Sequence, residues 1–451
     1  MLESFFQLSS NNTNFKTEAR AGVVTFSTMA YIIFVQPGIL APVMGRTPDE
    51  IKMYFGAVMV ATCLASALGT LIMGLFANYP IALAPCMGEN YFFAAVVSGA
   101  VTGTVVGWDV ALTAVFLSGV IFVFLSLFKI REKIFDSIPD SLKAGISVGI
   151  GLFIAFIGLK ESGFIVAAPG SLVKIGNLHS PPTLLTIFGL IFTSILLARG
   201  IKGAILLGIL ATTIAGIPFN LVTFHGFFAL PPSISPVLFK LNFKEVFTLA
   251  MVPVIIIFFF MVMFDTIGTL IGVGEQAGLM EKGKLPRAGK ALLADSIGTT
   301  AGALLGTSTV SSFIESAAGV SEGGRTGLAN IFTAFLFLLA LFFYPVVQMI
   351  GGGYEIEPGI YLHPVTAPVL ILVGVFMARN VNKIPWHDLS EAIPAFLVII
   401  GMPLTFSIAD GFAFGFITYP LLKIASGRGK EVNLLIYILF VIFILYFAFI
   451  R

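Results

Sequence analysis

Residues 306–327 read GTSTVSSFIESAAGVSEGGRTG and place a carboxylate, Glu315, among small side chains between two apolar runs. The stretch just ahead of it, Gly306 to Ser312, is too rich in glycine, serine and threonine to continue a membrane helix. Irregular backbone at membrane depth persists only where it is buried in protein or lines a cavity. The segment therefore predicts an interrupted helix with Glu315 just inside its second half. A charge in that position needs a ligand, a coupling ion or a set of backbone amides to satisfy it.

Outward from this point the chain is built for a bilayer. Its 451 residues are 57% hydrophobic and 11% charged, with a mean hydropathy of +1.02, far outside the soluble range. Runs long enough to span as helices fall at 22–43, 55–77, 110–128, 138–159, 183–198 and 203–218, with a short one at 84–98. The second half gives 246–273, 289–305, 328–349, 362–378, 391–408 and 411–425, with a short one at 311–320. Residues 1–20 hold Lys16 and Arg20 but no apolar signal core, which reads as a cytoplasmic leader. With the leader inside, the basic groups Lys129/Arg131/Lys133/Lys143, Arg199/Lys202, Lys282/Lys284/Arg287/Lys290, Arg379/Lys383 and Lys423/Arg428/Lys430 fall on the inner side, and only Arg46, Lys52, Lys160, Lys174, Lys240 and Lys244 on the outer. That distribution supports fourteen crossings or half-crossings. The apolar stretch 432–450 is an extra segment that either spans or lies flat.

The two halves resemble each other. Leu64–Thr70 (LASALGT) echoes Leu293–Thr299 (LADSIGT), and each leads into one of the short segments. Seven spans is an odd number, so a repeat of seven returns inverted, and inverted repeats with two interrupted helices build midplane sites in secondary transporters. In the first half the counterpart of the Glu315 segment is ALAPCMGENYFF, where Pro85 and Gly88 break the helix ahead of Asn90. Asn90 and Glu315 thus occupy matching points of the repeat.

Asp265 lies in FFFMVMFDTIGTLIGV, near the middle of the eighth span, where an exposed charge costs several kcal/mol, so it must face a cavity or a partner. Asp295 matches Ser66 in the repeat, which suggests helix packing and hydrogen bonding. Glu89 is one residue from Asn90, roughly 100 degrees round a helix, and on that ground points elsewhere while remaining a site candidate. Asp410 borders an expected loop and reads as solvated. Cys63 and Cys86, in apolar surroundings, read as small packed residues with no disulfide.

Other chemistries find little support. Gly278–Leu285 mimics a phosphate-binding loop, but Leu285 stands where a serine or threonine would hold magnesium, and it reads as a basic loop. The four histidines sit in loops or at span ends without ligand spacing, so no metal site is expected. No nucleophile with its base is visible, so an enzyme is not expected, nor is a nucleic-acid partner. Gly145 and Gly149 mark close helix packing more than a dimer.

Three stretches carry a family resemblance: NFKTEARAGVVTFSTMAYIIFVQPGIL (14–40), FDTIGTLIGV through GGRTGL (264–328), and IPAFLVIIGMPLTFSIADGFAFGF (393–416). They resemble the AzgA-like purine permeases of the nucleobase-ascorbate transporter superfamily, nearly end to end. The resemblance implies an all-α polytopic fold of fourteen segments in a 7+7 inverted repeat, with short strands ahead of half-helices three and ten. It implies a leader (1–21), a core domain (22–128 and 246–350), a gate domain (129–245 and 351–430) and the extra segment 431–451. Its implied activity is uptake of hypoxanthine, guanine or adenine across the cytoplasmic membrane, with protons as the coupling ion and no cofactor. A homodimer through the gate domain is the assembly it suggests. Carried over residue by residue, the essential polar positions fall on Asn90, Asp265 and Glu315, with Thr269 facing the pocket and Phe313 stacking on the base. Tyr91 and Ser312 are further candidates beside Glu89 and Asp295. Where relatives usually read GMGLNAYF this chain reads CMGENYFF, so Cys86, Glu89 and Tyr91 depart from the pattern, as does Gln36 where asparagine is common. Xanthine or uracil is the alternative substrate class, and an anion carrier a more distant one.

The chemistry agrees with these residues. A purine edge offers N–H donors beside acceptors, so a carboxylate can take its donors while an amide such as Asn90 both donates and accepts. An aromatic face adds stacking that tolerates different bases.

Overall fold

The computed structural model describes residues 2–127, 137–168, 170–248, 250–280, 285–357 and 360–449. The inner-side basic residues Lys129, Arg131, Lys133, Lys282 and Lys284, and the middle of the phosphate-loop mimic, lie outside these. Among the described residues, eight helices are long and apolar enough to cross a membrane, and three shorter apolar helices accompany them. The chain is a mostly helical, multi-pass membrane protein.

The expected first span is two helices, α1 (Phe15–Met29) and α2 (Ile32–Met44), broken at Ala30–Tyr31. α3 (Pro48–Ile72) begins in a capping box of Thr47 and Glu50, with Pro48 in its first turn. Strand β1 (Leu83–Pro85) leads into the half-helix α4 (Met87–Val97), followed by α5 (Trp108–Leu127), α6 (Asp140–Glu161), α7 (Pro181–Ala198) and α8 (Ala204–Gly216). A hairpin of β2 (Ile165–Ala168) and β3 (Leu172–Ile175) separates α6 from α7. The second half holds α9 (Met251–Gln276), α10 (Ala288–Leu305), strand β4 (Val310–Ser312) and the short half-helix α11 (Ser316–Ser321). It continues through α12 (Leu328–Ala340) and α13 (Tyr344–Gly351), where the expected eleventh span is broken by a 3-10 turn ahead of Pro345. The hairpin β5 (Tyr354–Glu357) with β6 (Ile360–Leu362) precedes α14 (Ala367–Ala378), α15 (Leu389–Thr405), α16 (Ile408–Ala425) and α17 (Leu434–Phe449).

Both interruptions are where the sequence places them, and each supplies a strand to the other. β1 pairs antiparallel with β4, Leu83 opposite Ser312 and Pro85 opposite Val310. Backbone bonds from Cys86 to Thr309 (3.1 Å) and from Phe313 to Ala82 (2.9 Å) extend the ladder, so the irregular backbone is satisfied inside protein. Gly306 makes the turn from α10 into β4 at φ +96, and a Cβ there would lie 2.4 Å from that of Val237. The echoing segments hold this ladder from outside. Thr70 bonds both backbone groups of Leu83, and Thr299 donates to the carbonyl of Val310. Between them Gly298 approaches so closely that a Cβ would lie 3.6 Å from Gly69 Cα.

Helices α1 to α5 and α9 to α13 pack mainly among themselves, as do α6 to α8 with α14 to α16. The α6–α15 crossing depends on small residues: a Cβ at Gly145 would sit 3.0 Å from the Ala395 backbone, and one at Gly149 3.0 Å from the Val398 carbonyl. Buried Glu18 accepts from the amides of Arg325 and Ala329 (2.8 and 3.1 Å), which satisfies the start of α12 after the GGRTG stretch. The extra segment is α17, whose buried stripe Ile436, Leu439, Phe443 and Tyr446 packs along α16. Asp410, read as solvated, is instead 3% exposed in the first turn of α16 and accepts from Tyr446 at 3.0 Å. It looked like loop only because the packing partner lies far along the chain.

Candidate substrate site

The site forms around the β1–β4 crossing, where α4 and α11 start and where α9 and the break in α1–α2 pass close by. Asp265, on α9, is partly buried. Its Oδ2 accepts from Ser311 Oγ at 2.6 Å and from Cys86 Sγ at 2.9 Å, and these two donors are themselves 2.7 Å apart. Cys86 is therefore a polar contact of the acid at the head of α4, not the inert packed thiol its surroundings suggested. Glu315, also partly buried, accepts from the Tyr31 hydroxyl at 2.6 Å. The tyrosine reaches it because it sits in the α1–α2 break. Thr28, one turn back, donates to the Glu315 backbone carbonyl at 3.2 Å. The Phe313 ring, 5% exposed, lies 6.3 Å from that of Tyr31 at 42°.

Asn90 belongs to a second, fully buried cluster. It accepts from Ser308 and donates to Gln36 Oε1 at 3.3 Å, while Gln36 donates to Thr307. Each of its amide groups is thus engaged within the protein. Thr269 is buried one turn along α9 from Asp265. Asp295 accepts from Thr266 at 2.6 Å and from Ser312 at 3.1 Å, joining α9, α10 and β4 as the packing reading of that residue expects. Tyr91 turns to α6, its ring 6.4 Å from Phe153 and nearly perpendicular.

Glu89 is placed otherwise than its angular offset suggested. It does point away from Asn90, but that direction faces Asp265: a Glu89 oxygen, an Asp265 oxygen and Cys86 Sγ all lie within 4.8 Å of one another. Helix periodicity sets the angle between Glu89 and Asn90 but not which neighbouring helix lies on the Glu89 side of α4. Sequence reasoning also missed Tyr31, Ser311 and Ser308. Two surface hollows, of about 340 Å³ beside Asp49 and Tyr344 and about 540 Å³ beside Asp140 and Glu391, contain none of these residues.

The sequence and the fold both match known proteins. Residues 18–414 match the family model described as "Permease family". The chain belongs to that family. Along 100% of both chains it is 47% identical to the guanine/hypoxanthine permease PbuG of Bacillus subtilis (strain 168). It is 43% identical to the adenine permease AdeP of Escherichia coli (strain K12), over 100% of this chain and 96% of that one. A putative permease of Methanocaldococcus jannaschii is 51% identical over 99% of this chain and 98% of its own. The resemblance to purine permeases of the nucleobase-ascorbate superfamily is thus upheld, and with it a transporter rather than an enzyme. Among solved structures, the transmembrane domain of the cyanobacterial bicarbonate transporter BicA superposes with a TM-score of 0.61 at 16% identity. That match covers 89% of this chain and 97% of the other, and it speaks to the fold alone.

Proposed function

We propose that this permease carries purine nucleobases, namely hypoxanthine, guanine or adenine, into the cell across the cytoplasmic membrane by proton symport. The observation that carries the reading is the placement of two partly buried carboxylates, Asp265 and Glu315, beside the crossing of two interrupted helices, in a chain 47% and 43% identical to named purine permeases. Tyr31 and the residue's own backbone amide donate to the Glu315 carboxylate, which has lone pairs left to accept an N–H from the edge of a base, with the Phe313 ring near Tyr31. A hydrogen bond to a charged group contributes about 1.5–3 kcal/mol, and an analogue lacking the donor leaves the acid desolvated and unpaired. Selectivity then comes from that penalty. Asp265 belongs to the group that takes the coupling proton. Two carboxylates beside the same helix crossing repel anions, which disfavours an anion carrier on this fold.

The fourteen-segment, 7+7 inverted arrangement is supported by the equivalent Thr70 and Thr299 bonds and the Gly69–Gly298 approach. Residues 22–128 and 246–350 would form the moving core and 129–245 with 351–430 the gate, with an inner-side N-terminus favoured by the basic loops. The apolar outer faces of α7 and α8, with Phe188, Ile191 and Ile214 exposed, meet lipid, and a gate-mediated homodimer would use the same faces.

Glu315→Gln should raise the KM for hypoxanthine about 10- to 100-fold in proteoliposomes, by loss of charged hydrogen bonding. Asp265→Asn should abolish accumulation driven by an inward proton gradient. An unchanged KM in the first variant would remove Glu315 from the base, and full accumulation in the second would remove the proton from Asp265.

A further inference from the structure

We propose that Glu89 and Asp265 hold one proton between them, so that a carboxyl pair, and not Asp265 alone, is the coupling site. This deepens the proton-symport reading and rests on it for its role in transport.

The geometry starts from an imbalance. Asp265 takes two side-chain donors, Ser311 and Cys86. Glu89 is 3% exposed, and the only hydrogen-bond donor at its carboxylate among the described residues is its own backbone amide. Its oxygen is nevertheless within 4.8 Å of both the Cys86 sulfur and an Asp265 oxygen, so it is aimed into the cluster rather than away from it. Among the described residues, no lysine, arginine or histidine forms an ion pair with either acid. Two like charges this close in a low-dielectric interior cannot both persist, and a shared proton is the smallest change that removes one of them. The donor imbalance assigns the ionised form to Asp265 and the O–H to Glu89.

A metal ion fits these groups less well. Hard divalent ions take six or more oxygen ligands, whereas this cluster offers two carboxylates, one hydroxyl already bonded to Asp265, and a thiol. A soft ion would call for more than one sulfur. The proton comes from bulk water and the only bond made or broken is the O–H of the pair.

The surroundings couple the pair to motion. α6 lies against the turn that carries Glu89: a Cβ at Gly88 would sit 2.8 Å from Ile150 Cγ2, and Phe153 meets Tyr91 one turn on. Movement of α6 away from α4 would therefore admit water to the pair. The other titratable groups facing it are Cys86 on the same segment, Asp295 from α10, and Glu315 with Tyr31 on the far side of Asp265. α2 contributes the neutral Gln36, bonded to Asn90.

The test is pH-titrated infrared difference spectroscopy of the purified full-length protein, read at the C=O stretch of protonated carboxyl groups, beside hypoxanthine uptake under proton and sodium gradients. Wild type should show a band that Glu89→Gln removes, that Glu89→Asp displaces and that Asp265→Asn moves in its titration midpoint. Glu89→Gln should also lose at least tenfold in proton-driven accumulation, with Glu89→Asp recovering part of it. The proposal is overturned if every carboxyl band and midpoint survives Glu89→Gln, if that variant accumulates hypoxanthine as wild type does, or if a sodium gradient replaces the proton gradient in wild type. Bands that behave as expected in a protein that moves no purine would leave the proton pair standing and sink the purine assignment instead.

Discussion

At Glu315 the Tyr31 hydroxyl, 2.6 Å away, fixes one carboxylate oxygen and so orients the acid. Removing only that hydroxyl should loosen the acid without changing its charge. Tyr31→Phe is expected to raise the KM for hypoxanthine about tenfold, in line with one hydrogen bond to a charged group, while leaving expression unchanged. A KM equal to wild type would show that the tyrosine does not orient the acid. Asp265 and Glu315 were legible from sequence because a carboxylate inside an apolar run has few inexpensive fates. Tyr31, Cys86 and Ser311 were not, since such side chains are ordinary in apolar helices. Their role depends on where the chain bends, and α1 breaks at Ala30–Tyr31 with no proline or glycine at the break. Glu89 was half legible: its direction round α4 followed from helix periodicity, but which helix waited on that side did not.

Among the elements, the α6–α15 crossing leaves little room for a side chain. A Cβ at Gly149 would meet Met402 Sδ at 2.8 Å and the Val398 carbonyl at 3.0 Å, so Gly149→Leu must push the helices apart. Overpacking of this kind costs about 1–3 kcal/mol, and the thermal midpoint of the detergent-purified variant should fall accordingly. No change in that midpoint would mean the crossing is looser than it looks. At the start of α15, Arg428 bonds Asp388 at 2.6 Å and Glu431 at 2.9 Å. The guanidinium and Ser390 hold the Asp388 carboxyl below its ordinary value of 3.8, and Arg428 with Lys423 lowers Glu431 likewise. A carboxylate depressed on folding contributes stability above its unfolded pKa and loses it as the pH falls through the folded one. The gap in thermal midpoint between wild type and Arg428→Gln should accordingly be constant at neutral pH and close on acidification below 3.8. A gap that persists there would assign the effect to packing. Hydropathy located these helices well because their length is set by the bilayer. It could not show the breaks in the first and eleventh spans, or that the final apolar stretch folds along α16, since those follow from contacts between distant segments.

For the whole molecule, the site lies where two groups of helices meet, with α4 and α9 on one side and α6 on the other. Two short strands pin the starts of the interrupted helices together beside the site. The purine assignment comes from carboxylates able to accept from a base edge, in a family whose named members include guanine/hypoxanthine and adenine permeases. The most direct test is uptake of labelled hypoxanthine into proteoliposomes, with and without an inward proton gradient, competed by unlabelled adenine, guanine, xanthine, uracil and sulfate. Gradient-dependent accumulation blocked by one or more of hypoxanthine, guanine and adenine is the expected result. Uptake that no purine competes, or that xanthine, uracil or sulfate alone blocks, would contradict it.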